Sequence, residues 1–127
     1  MDQKEKEGKS PAQIATLLGV DQTEMHVFIC IGPDCCAPEQ GEESWNALKR
    51  KIKADYPKLS EARIYRTKVG CLRICKEGPI ALSYPQGKWF RNVTADQVEG
   101  LVDYLASGEE SPHPLEFKSR PLPGNGK

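Results

Sequence analysis

The pattern of apolar and polar positions cuts the chain into short, well-separated elements. Ser10-Pro11-Ala12-Gln13 reads as a helix start, with Ser10 as cap, Pro11 at the first helical position and Gln13 completing a capping box. Ile14, Leu17 and Leu18 form a short apolar face, expected to pack on the domain edge, and Gly19 stops the helix. Met25 to Ile31 is a nearly continuous apolar run, which predicts a buried central strand, and Gly32-Pro33-Asp34 breaks it. Glu42 to Asp55 has a helical period, with Trp45, Leu48 and Ile52 on one face and Tyr56-Pro57 at its end. Glu61 to Val69 alternates as a second strand, with Ala62, Ile64 and Arg66 on one side and Arg63, Tyr65 and Thr67 on the other. Pro79 to Tyr84 and Lys88 to Val93 predict a hairpin around Tyr84-Pro85-Gln86-Gly87. Thr94 and Gln97 predict a capping box for a last helix, whose stripe is Val98, Leu101, Val102 and Leu105 and whose end is Gly108. The order β-α-β-β-β-α is that of a small α/β sheet flanked by helices.

Outside this region the composition changes. Met1 to Lys9 is charged and expected to be disordered, so residues 1–25 read as a tail with a short helix. Residues 26–108 read as the one domain that 127 residues suggest. Proline, glycine and charge dominate 109–127, which predicts a loosely held tail. Eighteen basic and eighteen acidic residues cancel, so neither a nucleic-acid reader nor a membrane binder is indicated. No apolar run approaches the roughly 20 residues of a membrane span. The start of the chain lacks the apolar stretch of a secretion signal, so the expected compartment is the reducing cytoplasm.

The chemistry concentrates in five cysteines. Cys30-Ile-Gly-Pro-Asp-Cys35-Cys36 follows the first strand, and Cys71-Leu-Arg-Ile-Cys75 follows the second. Such grouping points to a thiolate-bound metal more than to disulfides. Four thiolates from two loops suit zinc or an iron–sulfur cluster. The C-x4-C and C-x3-C spacings are loose for zinc knuckles and match neither common ferredoxin run. His26 and His113 are not placed for a mixed histidine–cysteine cluster. Spacing alone leaves a cluster and zinc level, with redox-sensing thiols behind. A helical turn over Cys71 to Cys75 would aim both sulfurs at one centre.

Three stretches carry a resemblance to a known family. They are Val27-Phe28-Ile29-Cys30-x4-Cys35, Val69-Gly70-Cys71-Leu72-x2-Cys75-x2-Gly78-Pro79, and Tyr84-Pro85-x-Gly87-x-Trp89. Together they resemble the thioredoxin-like [2Fe–2S] ferredoxins, a group that includes the small cluster-bearing subunit of respiratory NADH dehydrogenase. The resemblance runs from about His26 to Leu115. It implies a thioredoxin-like mixed sheet with flanking helices and a [2Fe–2S] cluster held by Cys30, Cys35, Cys71 and Cys75. It also implies one-electron transfer between redox partner proteins, no catalysis by the chain alone, and often a homodimer. Cys36 is a neighbour that departs from the pattern and competes with Cys35 as a ligand. The rival readings are a zinc-stabilised protein-binding module and a thiol-based redox protein.

Several other residues carry weaker expectations. Backbone N–H groups at Gly32, Gly70 and Gly78 are candidate donors to the sulfurs, and Gly70 suits a tight turn close to a cofactor. Arg73, between two ligands, is either a charge that raises the potential or a solvent-pointing residue. Lys49-Arg50-Lys51-Ile52-Lys53 reads first as a solvated helix end and second as a docking patch for an acidic partner.

Overall fold

A computed structural model describes residues 3–20, 23–34, 36–58 and 61–119. Its elements are α1 (Gln3–Lys6), α2 (Pro11–Leu18), β1 (Met25–Cys30), α3 (Pro38–Asp55), β2 (Ile64–Val69), β3 (Ala81–Tyr84), β4 (Lys88–Phe90), α4 (Ala95–Ser107) and β5 (Glu116–Ser119). The strands form one mixed sheet in the order β2-β1-β3-β4-β5. β1 is parallel to β2, with α3 as the crossover between them, and antiparallel to β3.

The core lies between this sheet and the pair α3 and α4. Met25, Val27 and Ile29 of β1, Ile64 of β2 and Phe90 of β4 face Leu48 and Ile52 of α3 and Val98, Leu101, Val102 and Leu105 of α4, all of them buried. Fully burying such side chains contributes about 1.5–3 kcal/mol each. Burial along β1 alternates rather than running continuously: His26 and Phe28 are only half-buried. The opposite sheet face therefore stays partly open. It carries His26 stacked on Phe28 and edge-on to Tyr65, with Leu82, Tyr84 and Trp89 in register beside them.

The predicted helix α2 has its capping box, Ser10 accepting from Gln13 N–H, and ends at Gly19 in the left-handed region. It buries none of its residues, and Leu17 is 48% exposed, so its apolar face does not pack as expected. The charged start of the chain forms one helical turn, Gln3–Lys6, where disorder was expected. α3 begins at Pro38, earlier than Glu42, because a proline fits the first turn where no partner is needed for its nitrogen. Thr94 caps α4 in conformation only: its hydroxyl bonds the Asp96 carboxylate instead of the helix backbone.

The largest departure from the sequence reading is at the C-terminal end. Glu116–Ser119 forms a fifth strand on β4, where a loose tail was expected. Tyr104, buried on α4, explains the order. Its hydroxyl donates to Ser111 O at 2.8 Å and accepts from Lys88 Nζ at 2.6 Å. These bonds fasten the segment before β5 to α4 and β4. Residues 120–127 lie outside the described residues. Among the described residues no helix is long and apolar enough to cross a membrane.

Candidate metal centre

Both cysteine groups sit at the carboxyl ends of the parallel strands, the end of an open α/β sheet where sites gather. The register fixes their relation. Cys30 pairs with Val69, so Cys71 lies two residues beyond that point, in the loop that follows β2. Asp34, on the first loop, is close enough to Cys75 to act on its ionisation, so the two loops face each other.

Cys30 is 1% exposed, and its Sγ accepts from Ile80 N–H at 3.2 Å. Cys36, Cys71 and Cys75 are in the thiol form, the state from which a thiolate can ligate a metal. Cys35 lies outside the described residues. Cys36 is half-buried, and burial pushes its thiol pKa up.

The first loop is tightly packed. Gly32 has φ +93°, and a Cβ there would meet Cys36 O at 2.5 Å. Gly41, in the first turn of α3, lies on the backbone just after Cys30: a Cβ would meet Ile31 O at 2.5 Å and Ile31 Cα at 2.6 Å. α3 can begin this close to Cys30 only because position 41 has no side chain. Sequence reading missed Gly41, since a glycine inside a helical pattern gives no hint of what it touches.

The second loop, from Gly70 to Ile80, has no helix, so the expected helical turn is absent. Arg73 (φ +70°), Cys75 (φ +56°) and Glu77 (φ +55°) instead occupy the left-handed region, which non-glycine residues rarely adopt. This irregular path still brings the sulfurs together: Cys71 Sγ and Cys75 Sγ are 3.7 Å apart. Arg73 N–H donates to Cys71 Sγ at 3.1 Å. Ile80 and Arg73 thus donate N–H groups to cysteine sulfurs. Among the described residues no protein atom lies within 4 Å of a Cβ built at Gly70, and its φ is not left-handed. The loop's far end is anchored by Asn92 N–H to Glu77 O (2.7 Å) and Val93 N–H to Pro79 O (3.0 Å).

The donor set fits a soft tetrahedral metal. Two thiolates on one tetrahedral ion, with bonds of about 2.3 Å, stand about 3.75 Å apart, which is the Cys71–Cys75 separation. Without the metal Cys71 opposes the ionisation of Cys75. The Cys75 pKa is raised, first by its hydrogen bond with Cys71, then by burial and by the charges of Cys71 and Asp34, while Arg73 pulls it down. A bound cation reverses that balance. Among the described residues no group of three or more His, Cys, Asp or Glu is assembled for a metal. His26 instead bonds Thr67 at 2.6 Å, and His113 accepts from Leu115 N–H at 3.0 Å.

No family model matches the chain. It is 30% identical over 89 residues to a [2Fe–2S] ferredoxin of Clostridium pasteurianum, an alignment covering 66% of this chain and 87% of that protein. It is 31% identical over 104 residues to a [2Fe–2S] ferredoxin of Aquifex aeolicus, covering 76% and 92%. The structure of a thioredoxin-like [2Fe–2S] ferredoxin from Aquifex aeolicus superposes with a TM-score of 0.65 at 29% identity, covering 80% of this chain and 97% of that one. Sequence and fold agree with the sulfur chemistry: this chain belongs to the thioredoxin-like [2Fe–2S] ferredoxin family, its cofactor is a [2Fe–2S] cluster, and it is an electron-transfer protein.

Proposed function

We propose that Cys30, Cys35, Cys71 and Cys75 hold the cluster, two thiolates to each iron, and that the chain passes single electrons between partner proteins without catalysing a reaction alone. The observation that carries this reading is the Cys71–Cys75 pair, set at the spacing of two ligands on one iron and lying in the loop that follows β2, the strand paired with that of Cys30. Exposure adds to it. Cys71 and Cys75 are at the surface with Ile74, 43% exposed, between them, so a partner can approach the sulfurs closely. When bound, the cluster supplies a one-electron couple. The chain supplies thiolates, the N–H donors of Ile80 and Arg73, and the buried setting of Cys30.

The ferredoxin domain extends through Ser119, since β5 belongs to the sheet. We further propose a cytoplasmic homodimer. The supports are the family resemblance and the half-open sheet face of His26, Phe28, Tyr65, Tyr84 and Trp89.

The test is protein purified without oxygen, with iron and sulfide counted and visible and EPR spectra recorded. Two irons and two sulfides per chain, EPR-silent when oxidised and giving an S = 1/2 signal on reduction, are expected. Colourless protein with one zinc per chain would instead make the metal structural. Serine variants of Cys30, Cys35, Cys71 and Cys75 should each lose or alter the spectrum, and Cys36→Ser should not. A spectrum lost only in Cys36→Ser, and kept in Cys35→Ser, would move the fourth ligand to Cys36.

A further inference from the structure

The latter half of α3 and the middle of β2 enclose a second concave site that electron transfer does not use. Its volume is about 460 Å³, and its polar lining is Lys49, Arg50 and Lys53 from α3 with Arg66 from β2. Ile52 and Tyr56 supply an apolar wall. No carboxylate lines it. The ion pairs of the described residues use Lys51, Arg63, Lys68 and Arg91, and none uses the four cations of the pocket. In a chain whose charges cancel, this is a local, unneutralised excess.

Cations at a helix C-terminus complement its dipole, which accounts for the three α3 residues alone. It does not account for Arg66. That residue comes from another element, and its Nε is buried without a hydrogen-bond partner. A buried polar N–H left unbonded is costly. The guanidinium is held by the Trp45 ring, 5.5 Å from the centroid, with Lys49 Nζ at 5.8 Å and Lys68 Nζ at 5.9 Å over the same ring. Trp45 thus positions Arg66 and Lys49 and leaves their terminal N–H groups for another acceptor, while Lys68 pairs with Glu42. Arg66 precedes Cys71 by five strand and turn residues, roughly 16 Å at ~3.3 Å per residue, so a ligand here would not touch the cluster.

We propose that this pocket binds a small organic phosphate, a diphosphate ester of the nucleotide kind. Its phosphate oxygens accept from the terminal N–H groups of the Arg66 guanidinium and from the ammonium groups of Lys49 and Lys53, and its organic part lies on Ile52 and Tyr56. Concavity favours this over the acidic surface of a protein partner. The volume lies within the range of about 300–1,000 Å³ usual for small-ligand sites, whereas partner proteins meet flatter ground. A diphosphate also matches a donor set that combines one fork-shaped guanidinium with point-charge ammonium groups.

The experiment is titration calorimetry of the cluster-loaded protein with ADP and with inorganic pyrophosphate, at about 0.1 M salt to suppress diffuse attraction. Saturable one-to-one binding with Kd of about 1 mM or tighter is expected for ADP. Arg66→Gln and, separately, the exposed Lys53→Gln should each weaken it roughly tenfold. Lys51→Gln, whose lysine pairs with Asp55 and Asp103 away from the pocket, should leave it unchanged. No saturable heat, equal weakening in Lys51→Gln, or no change in Lys53→Gln would overturn the proposal. So would binding of polyglutamate without binding of either phosphate, which would assign the patch to an acidic protein partner. Pyrophosphate binding as tight as ADP would keep the phosphate site and overturn the role of the apolar wall. Since the pocket shares no residue with the cluster site, failure here would leave the iron and sulfide counts untouched.

Discussion

The two cysteine loops hold their sulfurs by opposite means. The first is held by packing. Cys30 is buried, Gly32 is pressed on Cys36 O, and Gly41 brings the start of α3 onto the backbone of Ile31. The second is held by backbone shape. Cys71 and Cys75 are exposed, no helix supports them, and three left-handed residues fold the chain until the sulfurs stand 3.7 Å apart. A loop fixed by contacts tolerates no added atom. A loop fixed by its own dihedrals tolerates added atoms but depends on its anchors at Glu77 and Pro79. The first loop thus holds a buried cysteine and the second presents two exposed ones.

The sharpest way to break this contrast is Gly41→Ala. A methyl group there must enter backbone at 2.5–2.7 Å, and backbone cannot rotate away as a side chain can. Overpacking of this kind costs about 1–3 kcal/mol. The expected result is a fall in the unfolding midpoint in urea and a poorer iron content. An unchanged midpoint would mean that α3 shifts freely, and that the first loop is not held by packing at all.

The opposite expectation attaches to Gly70. It precedes Cys71 directly, yet nothing lies within 4 Å of its would-be Cβ and its φ is not left-handed. Gly70→Ala should keep the cluster and stabilise the protein by about 0.4–1 kcal/mol, by restricting the unfolded chain. Destabilisation measured in the same urea series would show that the second loop, too, is held by contact.

These two glycines show what was legible in the sequence and what was not. The strands, the two long helices and the position of each cysteine group at a strand end followed from periodicity, because side-chain burial imposes that periodicity directly. The helical turn assigned to Cys71–Cys75 failed because an i, i+4 spacing is silent about φ, and here three residues are left-handed. Gly41 gave no sign of its close approach to Ile31, because the neighbour that makes a glycine necessary comes from elsewhere in the chain. β5 was hidden in a segment rich in proline and charge. It is ordered by Tyr104, whose hydroxyl bonds could not be foreseen from the apolar stripe of α4. The basic run of α3 looked like a solvated helix end until Arg66 of β2 joined it in one pocket.

The smallest predicted effect tests whether the exposed loop also tunes the cluster. Arg73 is exposed, and its backbone N–H, not its guanidinium, bonds Cys71 Sγ. Its charge nonetheless favours the thiolate of Cys75. Reduction adds one negative charge to the cluster, so a nearby cation favours the reduced state and raises the potential. Arg73→Ala removes the charge and keeps the N–H donor. An exposed charge of this kind contributes about 0.2–1 kcal/mol, which for one electron is roughly 10–40 mV. Redox titration of the loaded variant should therefore give a midpoint lower by that amount, and a difference that shrinks in high salt. An unchanged potential in a fully loaded variant would leave the backbone alone as the second loop's means of acting on the cluster. Loss of the cluster would show that the left-handed path through residue 73 needs more than a small side chain to hold it.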